Sequence, residues 1–134
     1  IHVRGHTDGD LFIYIKELRT LITGDLVFNG KIPYMGDAYI EDWISALTYL
    51  GDLDAEIYIP GHGNPGGKPV YLAMKDYMLN LKGMVLKQLE QGKSLKETQD
   101  VVRPALKKKY NDRKNLDWLD ANIERTYLEY SLKR

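Results

Sequence analysis

The spacing of apolar residues changes at Pro69, and this change constrains the fold more than any other feature of the chain. Before it, short β-branched and aromatic runs alternate with turn residues, which predicts strands joined by loops. After it, apolar residues recur every three or four positions, which predicts helices. A loop with four glycines, Gly61–Gly67, separates the two patterns. The predicted fold class is α/β, with a strand-bearing region over residues 1–67 and a helical tail over residues 68–134 that packs on the same domain.

The strands predicted before the glycine-rich loop are short and few. They are expected at Leu11–Ile15, Thr20–Thr23 and Glu56–Pro60. Asp37 is a candidate N-cap for a helix between the last two strands. In the tail, Ser94 to Glu97 has the capping-box pattern, and Pro104 is expected to break the helix that follows. Three strands are too few for a stable open sheet beside the helical tail. The sheet is therefore either small or completed by strands from elsewhere.

Length and composition exclude several classes of function. The 134 residues support one domain, and the absence of cysteine excludes disulfides, thiolate zinc sites and a cysteine nucleophile. A formal net charge of zero argues against nucleic acid and anionic membranes as partners. No segment approaches the roughly 18–20 apolar residues of a membrane span. Localisation stays open between cytoplasm and periplasm.

The zero net charge conceals an asymmetry along the chain. Residues 1–67 carry 4 basic and 10 acidic side chains, whereas residues 68–134 carry 15 basic and 9 acidic ones. All three histidines, His2, His6 and His62, lie in the acidic half. We therefore expect any cation site in the first half and a scaffolding role for the second.

Three glycine-flanked motifs lie at or beside the predicted strand ends. They are Gly5-His6-Thr7-Asp8-Gly9-Asp10, Thr23-Gly24-Asp25 and Pro60-Gly61-His62-Gly63. Strand ends in an α/β sheet are where distant side chains converge, and two imidazoles with a carboxylate suit a divalent metal. Taken singly, each residue would more often be structural. A dinucleotide fingerprint at Gly61 to Gly66 is disfavoured because the prolines delay the helix that should receive the pyrophosphate. No serine lies on a nucleophile elbow.

In this order and at these spacings, the three motifs resemble the second half of the metallo-β-lactamase superfamily. The resemblance covers residues 1 to about 67 and implies the second half of an αββα sandwich with a metal site at one edge of its sheets. By motif match, His6 would complete one metal's histidine trio, Asp25 would bridge two metals and act in catalysis, and His62 would bind the second metal. Thr7 and Asp10 would hold ligands by hydrogen bonds. The implied cofactor is Zn²⁺, two ions per complete enzyme, although relatives that use iron are known.

The family's first-half motif, H-x-H-x-D-H, is absent from the chain. Because that motif supplies most of the metal ligands, the resemblance implies a C-terminal half whose partner is a missing N-terminal half. We expect residues 1–134 alone to lack hydrolase activity. Half a sandwich would expose an apolar face, so we also expect a homodimer or a swapped assembly.

The resemblance implies a small-molecule substrate attacked by a metal-bound hydroxide. Phe28 occupies the position where zinc β-lactamases often carry a lysine, which favours an ester, thioester or lactone over a β-lactam. Asn29, Lys31 and Tyr34 would line the substrate side, although the same residues could form a plain surface loop. The alternative hypothesis is a non-catalytic module of this fold that acts in protein interaction.

Overall fold

The computed structural model describes residues 1–133, which form two small sheets and four α-helices. The elements are β1 (His2–Val3), β2 (Asp10–Leu11), β3 (Ile13–Ile15), β4 (Thr20–Phe28), α1 (Ile40–Gly51), β5 (Ile57–His62), α2 (Lys68–Glu90), α3 (Leu95–Lys109) and α4 (Leu119–Leu132). Single 3₁₀ turns at Lys16–Leu18 and Leu116–Trp118 precede β4 and α4. Within this part of the chain, no helix is both long and apolar enough to cross a membrane.

The sheet that positions the candidate site has the order β3-β4-β5. Strand β4 is antiparallel to β3 and parallel to β5. Parallel strands need a crossover connection, and α1 provides it. The C-terminal ends of β4 and β5 therefore meet at one edge of the sheet, which is where the second and third motifs lie. The separate β1-β2 pair carries the first motif in its connecting loop.

One face of this sheet forms the core with the helices. Leu21 of β4 and Tyr58 of β5 are paired in register and fully buried. The ring of Tyr58 stacks on Tyr71 of α2 with centroids 5.5 Å apart. The apolar side of α1 packs into the same core, and its buried residues are those that the sequence periodicity placed on one face: Ile40, Trp43, Ile44, Leu47 and Leu50.

The opposite face of the sheet carries a set of isoleucines that the described residues leave partly open. The strand register aligns Ile13 with Ile22 and Ile22 with Ile59, and the next row joins Ile15 and Ile57 across Thr20. Ile13 is 57% exposed and Ile57 is 47% exposed. Because side chains alternate between faces, all five project to the side away from the helices. We call this set the isoleucine face: Ile13, Ile15, Ile22, Ile57 and Ile59.

Strand β4 is longer than the sequence predicted. The expected end at Thr23 is wrong, because β4 continues through Gly24 and Asp25 to Phe28. Gly24 has a φ of +53°, and the pairing with β5 shifts register on either side of it. Such an irregularity re-aims the neighbouring side chain without ending the strand. A glycine that looked like a strand terminator is thus a bulge within the strand.

The helices show one confirmed prediction and two wrong ones. The capping box of Ser94 and Glu97 is present at the start of α3. Pro104 lies inside α3 rather than ending it, and buried neighbours such as Leu106 hold the helix against the core. Asp37 does not cap α1. The backbone N–H groups of Ile40 and Glu41 donate instead to the carboxylate of Glu129 in α4, at 2.8 and 2.9 Å.

Candidate metal centre

His6 lies in the loop between β1 and β2, which is shaped by its own backbone and by Asp10. The N–H of Gly5 donates to the carbonyl of Thr7 at 2.8 Å. The N–H and hydroxyl of Thr7 donate to the buried carboxylate of Asp10 at 2.9 and 3.3 Å. Thr7 and Asp10 therefore hold the turn that carries His6, but neither forms a hydrogen bond to its imidazole. Thr7 and Asp10 thus stabilise the backbone of the loop and do not contact the His6 side chain by a hydrogen bond.

The imidazole of His6 packs against two aromatic rings. It makes an edge contact with Trp43 at 5.4 Å and lies 5.6 Å from Phe28, measured between ring centroids. Trp43 is itself fixed because its indole N–H donates to the carbonyl of Leu26 at 3.0 Å. A Cβ at Gly5 would lie 2.9 Å from Cδ2 of Leu26 and 3.3 Å from Cγ of Trp43, so glycine lets the backbone approach these side chains closely.

Asp25 follows the bulge in β4 and lies between the two motif histidines. Its Oδ1 is 3.2 Å from Nε2 of His62, and its Oδ2 is 3.7 Å from Nδ1 of His6. Gly61 makes room for this carboxylate, since a Cβ there would lie 2.2 Å from Asp25 Oδ1. The tertiary structure thus brings together the three residues predicted as ligands, from three separate parts of the chain.

His62 ends β5 and stacks face to face on Phe28, with centroids 4.6 Å apart and an interplanar angle of 19°. Its carbonyl accepts a hydrogen bond from the N–H of Asn29 at 2.9 Å. Gly63 has a φ of +90°, and a Cβ there would collide with the Asn29 carbonyl at 2.2 Å. A non-glycine residue could not occupy that position without moving the backbone beside the imidazole.

Phe28 is the residue of this site whose role the sequence did not predict. The sequence marked it only as the absence of a lysine, whereas the structure places its ring in contact with both imidazoles. The alternation Leu26, Phe28 along β4 could have indicated a buried ring on this side. The almost fully buried ring of Phe28 covers one face of the His62 imidazole, on which it stacks.

The arrangement supplies pairs of ligands rather than a complete metal site. Two ligands of one tetrahedral zinc, at bond lengths of roughly 2.1 Å, lie about 3.4 Å apart, close to the two separations found at Asp25. Zinc sites, however, need three or four protein ligands. Across residues 1–133, no group of three or more His, Cys, Asp or Glu side chains could hold a metal ion. The donor types fit zinc, and the set within the described residues is incomplete.

The predicted substrate-side loop is held by contacts at both ends. The amide of Asn29 donates to the carbonyl of Asn64 at 2.8 Å, beyond the end of β5. Lys31 is paired with Lys114 in an isolated parallel bridge. Tyr34 points elsewhere and packs edge-on against Trp118 at 5.8 Å. Asn29 and Lys31 therefore line a cavity beside His62, and Tyr34 does not.

A second cavity, of about 650 Å³, is lined in part by residues of the first motif. Thr7, Asp37, Tyr39 and Arg125 are among its lining residues, and His6, Asp25 and His62 are not. The cavity is therefore not the candidate metal centre, because the three candidate ligands lie together at the sheet edge.

Comparisons with known proteins relate the sequence and the fold of this chain to one superfamily. The sequence model of the metallo-beta-lactamase superfamily matches residues 1–62. The crystal structure of the DIM-1 metallo-beta-lactamase is 26% identical, with a TM-score of 0.50, over 55% of this chain and 37% of that chain. The VMB-1 crystal structure is 26% identical, with a TM-score of 0.52, over 57% of this chain and 37% of that chain. No curated protein matches the chain.

Over the matched residues, the fold is thus of the metallo-hydrolase type. Residues 1–62, a little under half of the chain, match the sequence model of the metallo-β-lactamase superfamily, which supports the family that the motifs predicted. The predicted α/β class, with a helical C-terminal region, is confirmed. The chain spans just over a third of the length of the solved structures it matches.

Proposed function

We propose that this chain is the C-terminal part of a metal-dependent hydrolase that cleaves an ester, thioester or lactone. The observation that carries the proposal is the position of Asp25, whose two carboxylate oxygens face two different imidazoles at 3.2 and 3.7 Å. A carboxylate placed in this way can serve two metal positions at once. His6 would contribute to one position and His62 to the other.

Zn²⁺ is the favoured ion at both positions, with iron as the second choice, because imidazole and carboxylate suit both. When bound, such ions supply a water molecule of lowered pKa that can attack a carbonyl carbon near neutral pH. The chain's own residues hold the ligands. The bulge at Gly24 aims Asp25, and Phe28 and Trp43 pack against the imidazoles.

The remaining ligands would come from an N-terminal half, in the same natural chain or in a partner. The isoleucine face supports this proposal, because an apolar sheet face of this kind is suited to packing against a second sheet. The second sheet would carry the H-x-H-x-D-H ligands to the same edge. The substrate class is proposed on Phe28, which offers no cation where zinc β-lactamases often carry a lysine.

The first test measures zinc affinity and hydrolysis with the chain alone. We expect weak zinc binding by competition with a chelating dye, and loss of that binding in Asp25→Asn. Asp8→Asn, an exposed carboxylate in the His6 loop, is the matched control and should bind as the wild type does. We expect no turnover of p-nitrophenyl acetate, a thioester or a lactone. Equal zinc affinity in wild type and Asp25→Asn, or turnover by the chain alone at the rate of an intact enzyme, would contradict the proposal.

The second candidate function is a non-catalytic interaction module. It is favoured by the incomplete ligand set within residues 1–133. Metal analysis of the full natural protein separates the two candidates. About two ions per chain supports the hydrolase, and none after gentle purification supports the module.

A further inference from the structure

Tyr39, the residue just before helix α1, is joined to the loop of His6 by a backbone hydrogen bond. Its N–H donates to the carbonyl of Gly5 at 2.8 Å. As the N-cap of α1, Tyr39 has an extended backbone, with φ −113° and ψ 97°, so its N–H is not used within the helix. The carbonyl of Gly5 and the N–H of His6 belong to the same peptide plane. Tyr39 therefore orients the peptide group that carries the candidate ligand.

A second link runs from Tyr39 through α1 to the imidazole of His6. The carbonyl of Tyr39 accepts a hydrogen bond from the N–H of Trp43 at 2.8 Å, which closes the first turn of the helix. The indole of Trp43 meets the imidazole of His6 edge-on, with ring centroids 5.4 Å apart. The two links thus reach the candidate ligand at its backbone and at its side chain. A displacement of Tyr39 would move both.

The ring of Tyr39 is held by two guanidinium groups. The Cζ atom of Arg4 lies 4.2 Å from the ring centroid and that of Arg125 lies 5.9 Å from it, both within the range of a cation–π contact. Arg125 also donates to the carbonyl of Ala38, one residue before Tyr39, at 2.7 Å. Within residues 1–133, tyrosine hydroxyls donate five hydrogen bonds, and none of them comes from Tyr39. Tyr39 is therefore held by its ring and its backbone.

We propose that Tyr39 is a positioning residue for the metal ligand His6. This inference rests on the proposed hydrolase function, which assigns His6 to one of two metal positions. The ring of Tyr39 holds the N-cap of α1, and the N-cap fixes both the peptide plane of His6 and the indole beside its imidazole. His62 lies on β5 and stacks on Phe28 instead. Loss of the Tyr39 ring should therefore displace one imidazole and leave the other in place.

NMR spectra of the metal-free chain at one fixed pH test the inference, because they report on each imidazole separately. In Tyr39→Ala, we expect the carbon-bound ring protons of His6 to shift and their NOE contacts with Trp43 to weaken. The ring signals of His62 should stay in place. Tyr39→Phe keeps the ring and should restore the wild-type signals of His6. Tyr49→Ala removes an exposed tyrosine ring from the same helix and is the matched control, in which both imidazoles should be unchanged.

Zinc affinity, measured by competition with a chelating dye, gives a second readout. Tyr39→Ala should weaken zinc binding about tenfold, the lower end of the range for residues that orient a metal ligand. Tyr39→Phe and Tyr49→Ala should bind zinc as the wild type does. Arg125→Met removes one guanidinium group from the ring and keeps the apolar stem of the side chain. It tests the same link if Tyr39→Ala does not fold, and should shift the His6 signals in the same sense.

The two imidazoles separate a positioning role from a general loss of structure. Unchanged His6 signals in the folded variants Tyr39→Ala and Arg125→Met would overturn the inference. Equal shifts of the His6 and His62 signals, or a failure of Tyr39→Phe to restore those of His6, would also overturn it. Selective shifts of His6 in a chain that binds no zinc would instead contradict only the proposed function.

Discussion

At the scale of single residues, the candidate site depends on glycines, which leave room for neighbouring groups because they have no side chain. Gly61 lies beside the Asp25 carboxylate, and Gly63 lies beside the Asn29 carbonyl. At either position a Cβ would be 2.2 Å from the neighbouring oxygen and would collide with it. Aromatic packing also positions the site, since Phe28 contacts both imidazoles. The site is therefore built by close packing as much as by its three candidate ligands.

Gly61→Ala should destabilise the protein by about 1–3 kcal/mol, because the new methyl group would collide with Asp25 Oδ1 at 2.2 Å and with the backbone of Gly24. Urea unfolding measures the change. Gly83→Ala is the control of opposite sign. Gly83 lies within α2 with open space around it, so alanine there should stabilise by about 0.5–1 kcal/mol. An unchanged or higher stability in Gly61→Ala would contradict the close packing described here.

Glu41 predicts a pH dependence of stability. A hydrogen bond from Lys82 at 2.7 Å, and then one from Tyr130, lower the pKa of Glu41 below its ordinary value of 4.5. Folding therefore favours the ionised carboxylate, and this contribution is present above pH 4.5 and is lost as the pH falls through the lower folded pKa.

We expect Glu41→Gln to be less stable than the wild type at pH 7, with a difference that shrinks as the pH falls below 4.5. Thermal unfolding across pH 3–7 measures it. Glu90→Gln, an exposed residue at the end of α2, should show no such trend. A difference between Glu41→Gln and wild type that stays constant down to pH 3 would refute the assignment.

At the scale of elements, helix α4 determines how the loop after β4 is held. Asn122 accepts a hydrogen bond from Met35 N at 3.0 Å and donates one to Pro33 O at 2.8 Å. Arg125 donates to Ala38 O at 2.7 Å, and Glu129 caps α1. These residues are spaced by three and four, so a single face of α4 fixes both the loop and the start of the crossover helix. The helical region thereby shapes the candidate site from a distance.

Glu129→Ala should destabilise the protein by about 1–2 kcal/mol, because two backbone donors at the start of α1 lose their acceptor. Amide hydrogen exchange should show the loss at Ile40 and Glu41. Glu124→Ala, an exposed position on the same helix, is the control and should change stability little. Protection at Ile40 and Glu41 that persists in Glu129→Ala would show that other contacts cap α1.

At the scale of the whole molecule, the two sides of the central sheet differ. The helices cover one side, and the isoleucine face is left partly open on the other. Apolar patches of this kind drive association. This is the same surface that the proposed N-terminal half would cover.

We expect the isolated chain to associate in solution, with a mass of at least twice the monomer by light scattering. Ile13→Lys combined with Ile57→Lys should shift it to the monomer, since both residues lie on the isoleucine face. Leu72→Lys, on an exposed position of α2, should leave the association unchanged. A wild-type chain that is monomeric at high concentration would count against the role of this face.

The sequence alone indicated the resemblance to the superfamily, the division between strands and helices, and the three ligand candidates. These features are local, because a glycine beside a ligand or a change in apolar spacing involves only a few neighbouring residues. The capping box of α3 could be predicted from the sequence for the same reason.

Only the tertiary structure decided what those residues touch. It showed that Gly24 is a bulge rather than a strand end, because that depends on the pairing of β4 with β5. It placed Phe28 between the two imidazoles, Lys31 beside Lys114, and Glu129 at the start of a helix 89 positions away. Contacts across such separations depend on how whole elements pack, and no local pattern in the sequence records them.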